Sequence, residues 1–306
     1  MSFPAFDLRR FEADPATAVE VDAICRDTGF LVLTGHGVPE DVIAAVWDAA
    51  ARFFAQPPEA KAQVRAPYPG YPYGWLGPDS EALARSKGVE TPPDLKESFN
   101  GGPLVTPPEA SADALAFCYQ PTLWPDLPGF RAAWEAYYRE MEALAARIMR
   151  LFAVALGLKA DHFAPFIGHP ISALRALHYP RTRGTALDGQ QRAGAHTDYG
   201  SLTILLPQPG STGLQVARGA AWVDVPAPEG AFVINIGDLM ARWTADRWVS
   251  TLHRVVAVPD QPARQSLAFF HQPDWDAEIV PLDGSDAYPP VRSGPYLMEK
   301  FKATGG

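Results

Sequence analysis

The sequence predicts a mainly β fold with flanking helices, built on a double-stranded β-helix, which is one kind of jelly roll. From Ile171 onward, short apolar segments recur at the spacing typical of sandwiches and barrels, each bounded by Gly, Pro or Asp. The first half instead carries apolar residues at helical spacing. With 306 residues, of which 47% are hydrophobic, the chain can bury one large core, so a single domain is expected.

The beginning of the chain predicts two helices around one strand. Residues 14–28 are expected to form a helix that ends before Gly29, 30–34 a buried strand, and 39–55 a second helix with apolar residues on one side. His36 lies in the Gly-His-Gly turn between the strand and the second helix. We interpret it as a structural residue.

Two longer segments complete the first half. Residues 57–108 are rich in Pro, Gly and Tyr and also carry large aromatic residues, which favours an ordered lid loop over a site. Residues 128–158 predict a long amphipathic helix. Its apolar stripe, which we expect to serve packing, consists of Trp134, Tyr138, Met141, Leu144, Ile148, Leu151 and Phe152.

The second half predicts a succession of strands at 201–206, 213–216, 221–225, 231–236, 253–258 and 264–270. Within the one domain, three portions are therefore expected: a helix-rich N-terminal portion with the early strand and the lid loop (1–170), the double-stranded β-helix core (171–275), and a C-terminal tail that packs on the core (276–306).

The segment HTDYGSLTILL at 196–206, followed by STLHRVV at 250–256, supplies a candidate metal site. His196 and Asp198 are two residues apart, and residues i and i+2 of a strand, or of the turn entering it, point to the same side. Both are expected to face one ion, with His253 joining them through the fold. Two imidazoles and one carboxylate leave positions open for substrate and O₂, as in non-haem Fe(II) oxygenases. A structural zinc site more often has four ligands rich in cysteine.

The His-x-Asp pair is weak evidence by itself, because an aspartate that caps a helix beside a surface histidine gives the same spacing. The segment RQSLAFF at 264–270 strengthens it, since Arg264, Ser266 and Phe270 share one face of a strand. A guanidinium fork with a hydroxyl two residues on suits the distal carboxylate of a dicarboxylate. The alternative is a surface arginine on an edge strand. The chain has no lysine from 160 to 299, however, so arginine must meet any buried carboxylate ligand in that half.

With these motifs, the chain resembles the 2-oxoglutarate and Fe(II)-dependent oxygenases of the isopenicillin N synthase-like superfamily. The matching segments follow the family's order over most of the chain: FLVLTGHGVP at 30–39, LHYP at 177–180, HTDYGSLTILL at 196–206, GLQV at 213–216, WVDVP at 222–226, GAFVINIGD at 230–238, STLHRVV at 250–256 and RQSLAFF at 264–270.

The resemblance implies an activity and a set of binding residues. It implies hydroxylation or another oxidation of a small molecule, with 2-oxoglutarate as cosubstrate and release of succinate and CO₂; iron and cosubstrate supply the chemistry, while the protein orients and shields. The implied residues are His196, Asp198 and His253 for Fe(II), and Arg264 and Ser266 for the C5 carboxylate of 2-oxoglutarate.

Four further positions bear on this site. Tyr179 matches a family tyrosine that hydrogen-bonds the cosubstrate, whereas Leu177 stands where many plant members carry an asparagine that helps to bind its keto-acid end. Asn235 and Asp238, near the end of a predicted core strand, are candidate hydrogen-bond partners for the metal ligands. For Asp238 an ordinary turn role is an equal alternative.

The substrate pocket is predicted from aromatic residues. Phe270 shares a strand face with Arg264 and lies farther along, toward the expected barrel mouth, while Phe99, Trp75 and Tyr73 lie in the segment predicted to cover it. Aromatic walls with few fixed charges favour a compact, largely apolar or aromatic small molecule with one or two polar handles. Packing of the loop on the barrel is the alternative for each ring.

Two other functions fit the same motifs. Isopenicillin N synthase and aminocyclopropane carboxylate oxidase are relatives that use iron without 2-oxoglutarate and retain the Arg-x-Ser pair, so succinate formation is needed to separate the two classes. A catalytically silent ligand-binding barrel is the other alternative. Its signature would be loss of a metal ligand, and all three are present.

Composition argues against several other classes. A formal charge of −9 disfavours nucleic acid as a partner, and no uninterrupted apolar run approaches the roughly 18 residues needed to span a membrane. Cys25 and Cys118 are the only cysteines, which predicts free thiols in a reducing compartment. We therefore expect a cytoplasmic enzyme with O₂ and a small molecule as partners and no obligate protein partner.

Overall fold

An eight-stranded sheet and a four-stranded sheet form the centre of the molecule. The computed structural model describes residues 3–303 except 79, 183 and 185. The larger sheet has the order β1-β2-β10-β7-β12-β5-β4-β3, in which only β1 and β2 pair in parallel. Its strands are Ala5–Asp7 (β1), Phe30–Thr34 (β2), Gly74–Leu76 (β3), Glu97–Gly101 (β4), Ala173–Tyr179 (β5), Leu202–Pro207 (β7), Phe232–Ile236 (β10) and Arg264–His271 (β12).

The smaller sheet has the order β6-β11-β8-β9 and is antiparallel throughout. Its strands are Ala193–His196 (β6), Leu214–Arg218 (β8), Ala221–Asp224 (β9) and His253–Val255 (β11). A cluster of buried side chains from both sheets fills the space between them, and we call it the inter-sheet cluster: Phe30, Leu177, Tyr179, Ala193, Leu214, Val216, Val225, Val233, Val255 and Ala268. Two antiparallel sheets around one interior are the layers expected of a double-stranded β-helix.

Alternation along β12 divides the interior into two parts. Ala268 belongs to the inter-sheet cluster and Phe270 packs against it, whereas Leu267 and Phe269 belong to a larger core on the opposite face of the sheet. Successive side chains of a strand point to opposite faces, so one strand serves both. We call the larger part the helix-side core, because it also contains the apolar faces of the long helices.

The helices cover the outer face of the larger sheet. The longest, Phe130–Ala155 (α6), buries all seven residues of the predicted apolar stripe and contacts both α2 and α3. The others are Leu8–Ala13 (α1), Ala18–Asp27 (α2), Glu40–Phe54 (α3), Pro58–Lys61 (α4), Ala112–Phe117 (α5), Asp238–Trp243 (α7) and Ser293–Ala303 (α8), with short 3-10 helices at Pro15–Thr17, Ala62–Val64, Leu83–Lys87 and Ala164–Phe166.

The predicted elements of the first half agree with the structure except in one segment. The strand at 30–34 is confirmed, and the helix predicted at 14–28 begins later, because the Asp14 side chain accepts a hydrogen bond from the backbone of Ala16 and starts a 3-10 turn. The prediction that residues 57–108 form a loop was wrong in part, because the segment contains β3 and β4, which extend the larger sheet. Its role as a lid stays a prediction.

Strand β4 was missed because its residues are mostly polar or small. All five residues of Glu97–Gly101 are buried, and the strand pairs along its length with β5. The Glu97 carboxylate is satisfied internally, since the Lys61 ammonium lies 2.7 Å from it. A buried carboxylate with a charged partner is compatible with a central strand. In a sequence, however, a glutamate usually indicates an exposed position.

The last described residues pack on the core. Strand Glu278–Ile279 (β13) pairs with Val291–Arg292 (β14), and Ile279 belongs to the helix-side core. In α8, the Lys300 ammonium lies 2.8 Å from the Asp238 carboxylate at the start of α7. Among the helices described here, none is both long and apolar enough to cross a membrane.

Candidate metal centre and active site

Three side chains meet where the two sheets approach each other. His196 ends β6 and His253 begins β11, and the two residues are direct cross-strand partners. The Nε2 atom of each histidine lies 3.8 Å from Oδ1 of Asp198, which is two residues beyond His196. One ligand atom from each of the three residues lies within 4.8 Å of the others. The structure therefore brings the three predicted ligands together.

Each histidine is held by its other ring nitrogen. Nδ1 of His196 lies 2.7 Å from the carbonyl oxygen of Gly194, and Nδ1 of His253 lies 3.1 Å from that of Thr251. A carbonyl oxygen only accepts, so Nδ1 carries the hydrogen and Nε2 presents its lone pair. The ring of Phe30 packs edge-on against His253, with centroids 5.2 Å apart, and limits its rotation.

Asp198 is oriented in the same way. Its Oδ2 accepts hydrogen bonds from the Thr203 hydroxyl at 2.5 Å and from the Asn235 amide at 2.7 Å, which leaves Oδ1 toward the histidines. The prediction of Asn235 as a partner of the ligands agrees with this contact. The side chain of Asp238 instead accepts hydrogen bonds from Ser250 and Lys300. The suggestion that it is a hydrogen-bond partner of the metal ligands was therefore wrong.

A close backbone approach fixes the loop that carries Asp198. The backbone N–H of Asp238 donates to the carbonyl oxygen of Asp198 at 2.7 Å. A Cβ on Gly237 would lie only 2.2 Å from the carbonyl oxygen of Gly200, so any other residue there would push the two loops apart. Glycine at 237 therefore sets the distance between the end of β10 and the metal-ligand loop.

The protonation states suit a divalent cation. Burial and then the neighbouring charge of His253 lower the pKa of His196 to about 3, against the opposing effect of Asp198. Burial alone would raise the pKa of Asp198, but the two histidines and the hydrogen bonds from Thr203 and Asn235 lower it overall. At neutral pH the set is a neutral imidazole donor beside an ionised carboxylate, and two nitrogens with one oxygen match the facial ligand set of non-haem Fe(II).

The predicted cosubstrate residues lie on neighbouring strands that line the same interior. Arg264 on β12 is the register partner of Tyr179 on β5, and the guanidinium carbon lies 4.5 Å from the centre of the Tyr179 ring. Arg264 is buried and donates to the Ser211 hydroxyl at 3.4 Å, and its Nε has no hydrogen-bond partner within the described residues. Ser266 is buried on the same face, two residues along the strand.

Leu177 places an apolar side chain on the interior face of β5, between two serines of the neighbouring strands. It is the register partner of both Ser266 and Ser98 and belongs to the inter-sheet cluster. The hydroxyl of Ser98 is buried and has no hydrogen-bond partner among the described residues. The Ser98 hydroxyl is thus an available hydrogen-bond donor on the strand next to Leu177.

The four predicted pocket residues do not stay together. Phe270 packs against the inter-sheet cluster, on the face that carries Arg264. Phe99 and Trp75 belong to the helix-side core on the other face, and the Trp75 indole donates to Glu97 at 2.8 Å. Tyr73 is buried and donates to the Cys118 carbonyl oxygen at 2.5 Å. Assigning Phe99 and Trp75 to the pocket was wrong, because β4 and β3 direct these rings into the helix-side core. Tyr73 precedes β3, and its assignment to the pocket stays a prediction.

Sequence reasoning missed a charged network on the interior face of the sheet. Arg175 lies on the same face of β5 as Leu177. It donates from Nε to Asn100 at 2.5 Å and from Nη1 to Glu81 at 3.1 Å. The Lys96 ammonium lies 3.1 Å from both Glu81 and Asp94. The available signal was the alternation of β5, which places Arg175, Leu177 and Tyr179 on one face once the strand is recognised.

The fold and this donor set define a class: a non-haem metal oxygenase built on a double-stranded β-helix. Family models agree with it. Residues 170–273 match the 2OG-Fe(II) oxygenase superfamily, and residues 3–127 match the family described as non-haem dioxygenase in morphine synthesis N-terminal.

Known proteins resemble the chain along nearly its whole length. Validamycin A dioxygenase of Streptomyces hygroscopicus subsp. limoneus is 34% identical over 98% of this chain and 86% of its own. A 2-oxoglutarate-dependent dioxygenase of Aspergillus niger is 35% identical, over 94% of this chain and 88% of its own. A full-length Neurospora crassa protein solved in complex with alpha-KG (2-oxoglutarate) is 31% identical, with a TM-score of 0.87 over 99% of this chain and 96% of that one.

The chain belongs to the 2OG-Fe(II) oxygenase superfamily. It is a 2-oxoglutarate-dependent dioxygenase that uses Fe(II) and O₂ on a small-molecule substrate, and the predicted jelly-roll fold is confirmed by the solved relatives.

Proposed function

We propose that His196, Asp198 and His253 bind the Fe(II) of this dioxygenase. The observation that supports it most strongly is that, in each of the three residues, the polar side-chain atom that does not face the proposed metal is held by hydrogen bonds. Gly194 and Thr251 carbonyls engage the histidine Nδ1 atoms, and Asn235 with Thr203 engages Asp198 Oδ2. Only the three atoms that face one another are left to coordinate, which is the arrangement that outer hydrogen bonds give to a preformed metal site.

In the same proposal, Arg264, Ser266 and Tyr179 bind 2-oxoglutarate. Arg264 is a buried cation that no carboxylate of the described residues neutralises, and its guanidinium stacks on Tyr179. A distal carboxylate would supply the missing negative charge and accept from the Ser266 hydroxyl. Leu177 removes the amide available in many plant relatives, so the keto-acid end relies on the metal and on donors of neighbouring strands such as Ser98.

When bound, Fe(II) and 2-oxoglutarate together supply the oxidation: O₂ is consumed, the cosubstrate is converted to succinate and CO₂, and an oxidising equivalent becomes available to the substrate. The residues of the chain provide position and a dry environment. The inter-sheet cluster surrounds the site with apolar side chains, and Phe270 is proposed as a wall of the substrate pocket. Such walls exclude bulk water from the reacting groups.

The substrate is proposed to be a compact small molecule with one or two polar handles. The Neurospora crassa relative has also been solved with alpha-KG and thymine, and another relative is named for validamycin A. In this chain Arg175 on β5 and Asn100 on β4 lie on the interior face, the face of the sheet on which Phe270 of β12 lies, and they supply polar groups there.

A cytoplasmic enzyme without a nucleic-acid, membrane or obligate protein partner remains part of the proposal. Cys25 and Cys118 are both free and buried, which supports a reducing compartment. The formal charge of −9 supports the exclusion of nucleic acid.

The proposal is tested by incubating the Fe(II)-loaded protein with 2-oxoglutarate and a panel of small metabolites, with succinate and O₂ uptake as readouts. We expect substrate-stimulated succinate formation that is abolished by Asp198→Ala. O₂ uptake without succinate would identify an oxidase that does not use 2-oxoglutarate. Substrate-stimulated succinate formation that persists in Asp198→Ala would overturn the proposed metal ligands.

A further inference from the structure

A second arginine lies buried beside the proposed cosubstrate site. Arg192 precedes β6 and is fully buried, with 0% of its surface exposed. Its Nη2 donates to three carbonyl oxygens, those of Pro180 at 2.9 Å, Gln261 at 3.3 Å and Pro262 at 2.7 Å. Pro180 follows Tyr179 directly, and Pro262 is two residues before Arg264, so the guanidinium lies next to both cosubstrate residues.

The hydrogen bonds of Arg192 are incomplete. Among the described residues, neither its Nε nor its Nη1 has a hydrogen-bond partner, and the same holds for Nε of Arg264; all three atoms are buried. Buried donors of this kind are rare in folded proteins, because each loses its hydrogen bonds to water and gains none in return. Three unpartnered donors in two adjacent guanidinium groups therefore point to a missing acceptor.

The charge of the pair is also unbalanced. Within the part of the chain that the structure describes, no Asp or Glu carboxylate makes a salt bridge with Arg192 or Arg264. Burial, and then the positive charge of Arg264, lower the pKa of Arg192 to about 10, so it stays protonated at neutral pH. Two uncompensated buried cations are unfavourable unless an anion binds between them.

We propose that Arg192 is a second cationic determinant of the cosubstrate site, which acts with Arg264 on the distal carboxylate of a dicarboxylate keto acid. The inference rests on the proposed role of Arg264. Because Arg192 is anchored through Nη2, its charge acts on the carboxylate from a fixed position beside Arg264. It makes the site select 2-oxoglutarate over keto acids of the same length that lack the second carboxylate.

The test compares two ligands on the Mn(II)-loaded protein, since Mn(II) fits the same donor set. Calorimetry measures the affinity for 2-oxoglutarate and for 2-oxopentanoate, which has the same five-carbon keto-acid chain without the distal carboxylate. We expect Arg192→Gln to weaken 2-oxoglutarate binding about tenfold or more, the size of one charge-assisted contact. Binding of 2-oxopentanoate should change by less than about twofold, and Arg192→Lys should restore most of the preference.

Arg247→Gln is the matched control. Arg247 is a partly buried arginine that pairs with Asp22 at 3.0 Å, remote from the cosubstrate residues, and its loss should leave the preference for 2-oxoglutarate unchanged. If Arg192→Gln lost affinity for both ligands equally, the role of Arg192 would be purely structural and the inference would be overturned. An unchanged preference would overturn it as well.

A second variant keeps the inference testable if Arg192→Gln does not fold. Arg264→Gln removes the first cation and leaves Arg192 in place. We expect a reduced but measurable preference for 2-oxoglutarate over 2-oxopentanoate in this variant, and a complete loss of preference would show that Arg192 contributes nothing. If the unaltered protein fails to bind 2-oxoglutarate, the proposed function itself is wrong; if it binds with normal preference and only the variants disagree, this inference alone fails.

Discussion

The side-chain amide of Asn235 donates a hydrogen bond to Oδ2 of Asp198 over 2.7 Å and so determines which oxygen of that carboxylate faces the two histidines. Asn235 lies on β10 of the larger sheet, while His196 and His253 lie on the smaller one. The metal site is therefore assembled from both sheets, and its geometry depends on their packing.

Replacing a metal ligand should remove the metal and leave the protein folded. We expect His196→Ala, Asp198→Ala and His253→Ala each to lose Fe(II) binding and turnover, because no remaining donor completes the set. The melting temperature of the metal-free protein should change little, since the apolar clusters of both sheets stay intact. Normal iron content and turnover in any of the three variants would contradict the assignment.

Removing a hydrogen bond that orients Asp198 should weaken metal binding without abolishing it. We expect Asn235→Ala and Thr203→Val each to lower the affinity for Mn(II) by about 10- to 100-fold, the usual effect of losing an outer hydrogen bond on a ligand. Thr244→Val is the control, because its buried hydroxyl binds the carbonyl of Met240 in α7. Metal titrations that give the same affinity for all three variants would show that Asp198 needs no orientation.

The two proposed cosubstrate residues on β12 should contribute unequally to 2-oxoglutarate binding. Arg264→Ala should raise the 2-oxoglutarate requirement strongly, because loss of a charge-assisted partner for a buried carboxylate costs about 2 to 5 kcal/mol. Ser266→Ala should cost less, about 0.5 to 3 kcal/mol for one hydrogen bond. The measurement is the KM for 2-oxoglutarate, and indifference to Arg264 would favour an oxidase that does not use this cosubstrate.

Phe270 and Phe99 form a matched pair on opposite faces of the larger sheet. Phe270→Ala should reduce substrate-stimulated succinate formation more than basal turnover of 2-oxoglutarate, since its ring faces the metal side. Phe99→Ala should instead cost about 3 to 5 kcal/mol of folding stability, because its ring packs in the core against Phe53, Phe130 and Trp134. Equal losses of stimulated and basal activity in Phe270→Ala would remove it from the pocket.

The charged network beside the site should respond to acid. Burial alone would raise the pKa of Glu81, but Arg175 and Lys96 lower it from 4.5 to about 2. The carboxylate therefore stabilises the fold fully above about pH 4.5, and this contribution is lost as the pH falls toward 2. Urea denaturation of the metal-free protein should show Glu81→Gln less stable than the natural chain at pH 7, with the difference shrinking below pH 4.5.

Glu109→Gln is the control for this experiment, because Glu109 is exposed. A stability difference between Glu81→Gln and the natural chain that stays constant from pH 7 down to pH 3 would show that the network does not hold Glu81 ionised.

Hydrophobic periodicity and local motifs in the sequence determined much of the fold and of the candidate site. The Arg-x-Ser pair of β12 and the apolar stripe of α6 were readable because the side chains of a strand repeat every two residues and those of a helix every 3.6. The pair His196 and Asp198 was readable as a His-x-Asp motif, although Asp198 lies in the loop after β6. These patterns are local. They predicted the strand at 30–34, the long helix and the residues that converge on the metal site.

Only the tertiary structure decided which face each aromatic ring occupies and where the charges pair. Phe99 and Trp75 lie in strands that their own polar and small neighbours concealed, and a shift of one residue in a strand reverses its faces. Asn235 contacts Asp198, and Arg192 lies near enough to Arg264 for their charges to interact, only because segments distant in sequence are brought together. Such pairings depend on the register between distant segments, and a single sequence carries no local signal for that register.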